Sequence, residues 1–184
     1  MNWTLIIIIA VIVLLLVWVA GVYNSLVQLR NAVKDQWSQI DVHLKRRADL
    51  IPNIVETVKG YASHEKETLD AVISARNKAV NAGTKEDEIK ANGELTNALG
   101  RLFALSEAYP ELKANTNFVD LQNTLKETED KIAFARQFYN DTVLKYKNKL
   151  EMFPTNIIAG IFGFKPELFF EASEAEKEVP KVQF

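Results

Sequence analysis

Side chains able to do chemistry are scarce in this chain of 184 residues. It has no cysteine and only two histidines, His43 and His64, so thiol nucleophiles, disulfide frameworks and cysteine-based zinc sites are excluded. His64-Glu65-Lys66-Glu67-Thr68 begins like a zinc-protease helix but lacks the second histidine four residues on that metal ligation needs. A capping or solvated role is expected for His64. Di-metal bundles use Glu-x-x-His pairs on two helices, and no such pair occurs here. The seven glycines are scattered and form neither GxGxxG nor a phosphate loop. No serine sits on a glycine-flanked turn. The expectation is a protein that is not an enzyme, with no catalytic residue, no cofactor and no metal.

The elements explain more than the reactive residues do. Lys and Arg number 22 and Asp and Glu 24, for a net charge of −2, yet the first charged side chain is Arg30. Residues 5–22 read LIIIIAVIVLLLVWVAGV, without one polar side chain. At ~1.5 Å rise per residue this run covers about 27 Å, close to the hydrocarbon thickness of a bilayer. A membrane span is expected over residues 1–23, with Leu5, Ile9, Leu15, Trp18 and Val22 facing lipid and Trp3 and Tyr23 at the interfaces. A cleaved signal peptide fits less well, because no cation precedes the apolar run. The cations that follow the span, Arg30 and Lys34 first, place the N-terminus outside and the remaining chain in the cytoplasm. The opposite placement of the domain is the alternative.

Beyond the span the apolar period is helical. Leu26, Leu29, Val33, Trp37, Ile40 and Leu44 recur three and four apart, and Ile51, Ile54, Val55 and Val58 continue the stripe across Pro52. Gly60 supplies a stop. A second helix is expected over residues 64–80, with Leu69, Val72 and Ile73 inward. Thr84 is a good N-cap for a third, which Tyr109-Pro110 ends. In the last helix Phe118, Leu125, Ile132, Tyr139, Tyr146 and Phe153 recur every seven residues, with Leu121, Thr128, Ala135 and Thr142 as a second seam. The fold class expected is all-α: one N-terminal transmembrane helix, then an antiparallel four-helix bundle over residues 24–153, then an apolar segment and acidic tail over residues 154–184. Up-down order and helix lengths return residue 150 to the membrane surface.

Three blocks carry a family resemblance: residues 23–65, residues 118–154, and NIIAGIFGFKPELFFEA (156–172) followed by Val179-Pro180-Lys181-Val182. With the N-terminal span they resemble the LemA family in order and over nearly the whole chain. The resemblance implies a single-pass bacterial membrane protein bearing a four-helix bundle. It implies no catalytic activity or cofactor, and it links some members to membrane proteases or to systems that shape magnetosome membranes. Other membrane proteins, a membrane protease among them, are therefore candidate partners.

Two groups of residues stand out as candidate sites. Lys45-Arg46-Arg47 lies too far from the span for lipid, and Asp41 and Asp49 at i−4 and i+4 of Lys45 favour local ion pairing, with one arginine pairing across the bundle. Nucleic acid is not an expected partner. The C-terminal apolar segment is the stronger candidate. Ile157, Ile158, Ile161, Phe162, Phe164, Leu168, Phe169 and Phe170 are more than one bundle end can bury, and Gly160 and Gly163 would let backbones approach. The segment is expected to bind a second copy of the chain or the bilayer. The tail beyond it, with Glu171, Glu174, Glu176 and Glu178 against Lys177, looks solvated. The function expected is an oligomeric, membrane-organising envelope scaffold; the alternative is a ligand-binding or sensory module, or an enzyme, with a polar pocket around Trp37, Arg76, Arg101 and Arg136.

Overall fold

The computed structural model describes residues 2–170, which are helical with no strand among them. Their helices are α1 (Trp3–Lys59), α2 (Lys66–Val80), α3 (Lys85–Ser106), α4 (Pro110–Lys113), α5 (Thr116–Glu151) and α6 (Thr155–Ile161). The acidic tail and the Val179-Pro180-Lys181-Val182 block lie outside the described residues.

α1 runs through Pro52 without a break. A proline inside a helix costs about 3 kcal/mol. Ile51, Ile54, Val55 and Val58 around it are all buried, and at ~1.5–3 kcal/mol for each large apolar side chain their packing outweighs the lost hydrogen bond. Among the described residues α1 is the one helix long and apolar enough to cross a membrane. Leu5, Ile9, Leu15 and Trp18 are exposed and Val22 is half-buried. Among the described residues, none covers the apolar surface of Leu5, Ile9, Leu15 and Trp18.

The chain divides into two compact units, one of residues up to Ser38 with Gln137–Phe169, the other of Gln39–Arg136 with Phe170. The second unit has a core drawn from five helices: Ile51, Ile54, Val55 and Val58 of α1, Leu69 and Val72 of α2, Leu95, Leu99 and Leu102 of α3, Leu112 of α4, and Phe118 and Leu125 of α5. α2 packs on α3. The Thr84 hydroxyl caps α3 by accepting from the Asp87 backbone N–H, worth about 1 kcal/mol. Pro110 occupies the first turn of α4, where its missing N–H is harmless. The first unit buries Leu26 and Val33 of α1, Tyr139, Val143 and Tyr146 of α5, and Ile158 and Ala159 of α6. Trp37 meets the Tyr139 ring edge-on at 5.2 Å.

Two details differ from the sequence expectation. Ile73 is exposed, because inward positions on α2 advance by threes from Leu69 through Val72 to Ala75. The seven-residue series is buried from Phe118 to Tyr146, but Phe153 is 79% exposed. α5 ends at Glu151, so the next step of the series falls in the turn before Pro154 and has no helix to hold it inward.

Candidate functional site

The apolar C-terminal segment is built on the first unit. α6 buries Thr155, Ile158 and Ala159 along one side and leaves Ile157 and Ile161 exposed on the other. The Gly163 N–H bonds to the Gly160 carbonyl at 3.3 Å and the Phe164 N–H to the Ala159 carbonyl at 2.9 Å. That pair is the helix stop that requires a left-handed residue just past the C-cap, and Gly163 supplies it with φ of +70°. The glycine is needed for this turn and not for close approach. A Cβ at Gly160 would likewise meet open space, so no backbone within the chain presses on it.

The turn sends the chain back along the helices. The Phe162 ring lies 4.9 Å and the Phe164 ring 5.6 Å from the ring of Tyr23. Three cations then face three phenylalanines: Arg30 lies 5.2 Å from the centre of the Phe164 ring and Lys147 6.0 Å from that of Phe169. Within the second unit Arg136 stands 4.6 Å from that of Phe170. Such contacts contribute about 0.5–2 kcal/mol each. The Tyr139 hydroxyl donates to the Leu168 carbonyl at 2.7 Å. Burial, with a smaller contribution from the Glu167 carboxylate, pushes the Tyr139 phenol up to about 12. Burial also raises the Tyr146 phenol, against the opposing pull of Arg30. Among the described residues the buried Tyr146 hydroxyl and Arg30 Nε have no hydrogen-bond partner.

The eight residues singled out from the sequence thus separate by exposure. Ile158 and Phe170 are buried within the chain, Phe164 and Phe169 are half-buried beneath cations, and Ile157, Ile161, Phe162 and Leu168 are exposed.

The second unit holds the polar candidate. Arg47 is 2% exposed. Its Nη1 donates to Glu129 Oε1 at 2.9 Å and to Thr96 Oγ1 at 3.0 Å, and its Nη2 donates to the Asn92 side-chain and backbone oxygens. One guanidinium on α1 therefore ties α3 to α5, while its Nε finds no partner among the described residues. This is the pairing across helices expected of one arginine in the basic cluster. Among the described residues Lys45 forms no ion pair with Asp41 or Asp49, and the Asp41 carboxylate instead acts on the Glu88 side chain. Burial first, then the nearby Asp41, hold the Glu88 carboxyl above the usual carboxylate range. Asp41 and Glu88 line a cavity of about 350 Å³ with Lys45, Asp49, Arg76 and Asn92. Of the four residues expected around a pocket, Arg76 is there, its Nε donating to the Ala48 carbonyl at 2.8 Å. Trp37 packs on Tyr139, Arg101 is exposed and Arg136 sits on Phe170. The acidic pair was missed from the sequence because Asp41 and Glu88 are far apart in the chain. His64 is exposed, as its solvated reading required.

Comparison with known proteins finds relatives of this chain. The chain is 27% identical over 179 residues to the Magnetosome protein MamQ 2 of Paramagnetospirillum magneticum, covering 83% of this chain and 66% of that protein, so it spans just under two thirds of that relative's length. It is 26% identical to the Magnetosome protein MamQ of Magnetospirillum gryphiswaldense, with the same coverage. It is 27% identical over 158 residues to Protein LemA of Metamycoplasma hominis, covering 85% of this chain and 72% of that one. None of these is an enzyme name. The model of the LemA family matches residues 36–184, and the chain belongs to the LemA family.

Proposed function

We propose that this protein is a non-enzymatic, membrane-anchored scaffold of the bacterial inner membrane, whose copies associate beside the bilayer to organise it. Residues 1–23 span the membrane with the N-terminus outside, and residues 24–153 form an antiparallel four-helix bundle in the cytoplasm. One observation carries the reading: α1 bears both the uncovered apolar stretch and, farther along, the core residues Ile51, Ile54 and Val58. Phe134 and Phe138, one turn apart on α5 and both exposed, support self-association through that helix. Lipid is the first partner, a second copy the next, and other membrane proteins such as a membrane protease follow. The relatives named as magnetosome proteins support work at a membrane.

Alkaline extraction and protease protection test the anchor and its direction. The chain is expected to stay in extracted membranes, and protease added to intact spheroplasts is expected to leave the domain whole. A double variant, Ile9→Lys with Val13→Lys, is expected in the supernatant, since a lysine at mid-span costs about 2.5–3.5 kcal/mol. Release of the wild type by alkali contradicts anchoring, and digestion in spheroplasts reverses the orientation.

A second reading, a small-molecule binding module, is favoured by the cavity bearing Asp41 and Glu88, whose 350 Å³ is at the small end of ligand pockets. A thermal shift with a defined metabolite, lost in Glu88→Gln, is its test.

A further inference from the structure

We propose that α6 and its flanks form a membrane-embedded foot, seated in the interfacial layer of the same bilayer that α1 crosses. The proposal rests on the anchoring reading and adds a second, non-spanning membrane contact.

The argument begins with charge. Residues 152–164, MFPTNIIAGIFGF, contain no Asp, Glu, Lys or Arg, and no charge-free run after residue 29 is longer. The other long charge-free run is residues 1–29. These two stretches meet, since Phe162 and Phe164 both lie against Tyr23. Tyr23 directly follows the apolar run, so α6 stands at the level where α1 leaves the hydrocarbon.

Burial supplies the second argument. A helix apolar on all sides belongs in an apolar environment. α6 carries no charge and has isoleucines on both sides, with Thr155 and Asn156 its polar residues, yet only the side with Thr155, Ile158 and Ala159 is covered by the chain. Ile157 is 51% and Ile161 71% exposed, and Met152, Phe153 and Phe162 continue the exposed surface. Interfacial helices bury such a face about 5–10 Å into the headgroup and acyl boundary.

The flanking charge fits the lipid surface. Arg30, seven residues past Tyr23, is about 10 Å farther along α1. Its guanidinium already faces Phe164. Lys165 borders the run at one end, and Lys149 lies close to the other, beside Glu151. Cations at this height meet the phosphates of the leaflet.

The chain lacks cysteine, so single-cysteine variants carry one environment-sensitive fluorophore each. Full-length Ile157→Cys, Ile161→Cys, Leu14→Cys and Val80→Cys are labelled and reconstituted in vesicles of phosphatidylcholine and phosphatidylglycerol. Leu14 reports the span, and exposed Val80 reports water. Labels at 157 and 161 are expected to be quenched several-fold more than the label at 80 by a lipid nitroxide near the headgroup, and several-fold less by iodide. Iodide quenching equal to that at 80 overturns the foot in favour of a solvated cap. Protection from both quenchers overturns it in favour of an interface between copies. If the Leu14 label escapes a deep nitroxide, the anchor itself fails and the foot with it. If Leu14 is quenched and 161 is not, only the foot is refuted.

Discussion

The ring of Phe162, the residue that caps α6, rests 4.9 Å from the ring of Tyr23, the residue that follows the apolar run of α1. Residues 139 positions apart are thereby brought together at the edge of the apolar stretch. The turn that follows at Gly163 then brings Phe164 to the same tyrosine.

Gly163→Ala is expected to destabilise that turn by about 1–2 kcal/mol, the strain of placing a Cβ at positive φ. The Gly160→Ala control meets open space and is expected to be neutral or mildly stabilising. Hydrogen exchange at the Phe164 amide, which bonds the Ala159 carbonyl, measures both. Equal protection in the two variants would show that the left-handed turn contributes nothing.

Arg47→Ala is expected to cost about 1–3 kcal/mol, mainly from the buried partners it leaves unsatisfied, because Glu129 is 35% exposed and can be rehydrated. Arg47→Lys is expected to recover only part of this, because an ammonium cannot reach Glu129, Thr96 and Asn92 with the fork of a guanidinium. Denaturant melts of the three proteins decide it. A lysine variant as stable as wild type would mean the ion pair matters and the fork does not.

Much of this was legible in the sequence and some was not. The inward stripe Leu26, Val33, Ile40 and Leu44, the Thr84 cap and the break at Tyr109-Pro110 are local signals, and the structure follows them. Phe153 departs because a seven-residue series continues only as long as its helix does. The C-terminal segment read as uniformly apolar, since hydropathy cannot say that Phe164 and Phe169 lie beneath Arg30 and Lys147 while Ile161 stays exposed. Asp41 and Glu88 meet only through the packing of separate helices, which no local pattern records.

The Glu88 carboxyl sets a pH dependence. Its pKa is raised in the folded protein by burial and by Asp41, with Lys85 opposing. A group bound more tightly to its proton when folded favours folding most below its unfolded pKa and loses that contribution as pH rises through the folded value. Glu88→Gln, which keeps a hydrogen-bond donor toward Asp41, is expected to raise stability at neutral pH and to flatten the decline above the ordinary carboxylate range. Melting temperatures from pH 4 to 8 check the sign. A variant less stable than wild type at pH 7 would mean that the Glu88 charge is held favourably.

The scaffold reading is tested most directly by cross-linking the full chain in its native membranes. A ladder of multiples of the 20.8 kDa chain in the membrane fraction is the predicted result. A single band at the mass of one chain, at cross-linker doses that capture known membrane oligomers, would contradict it.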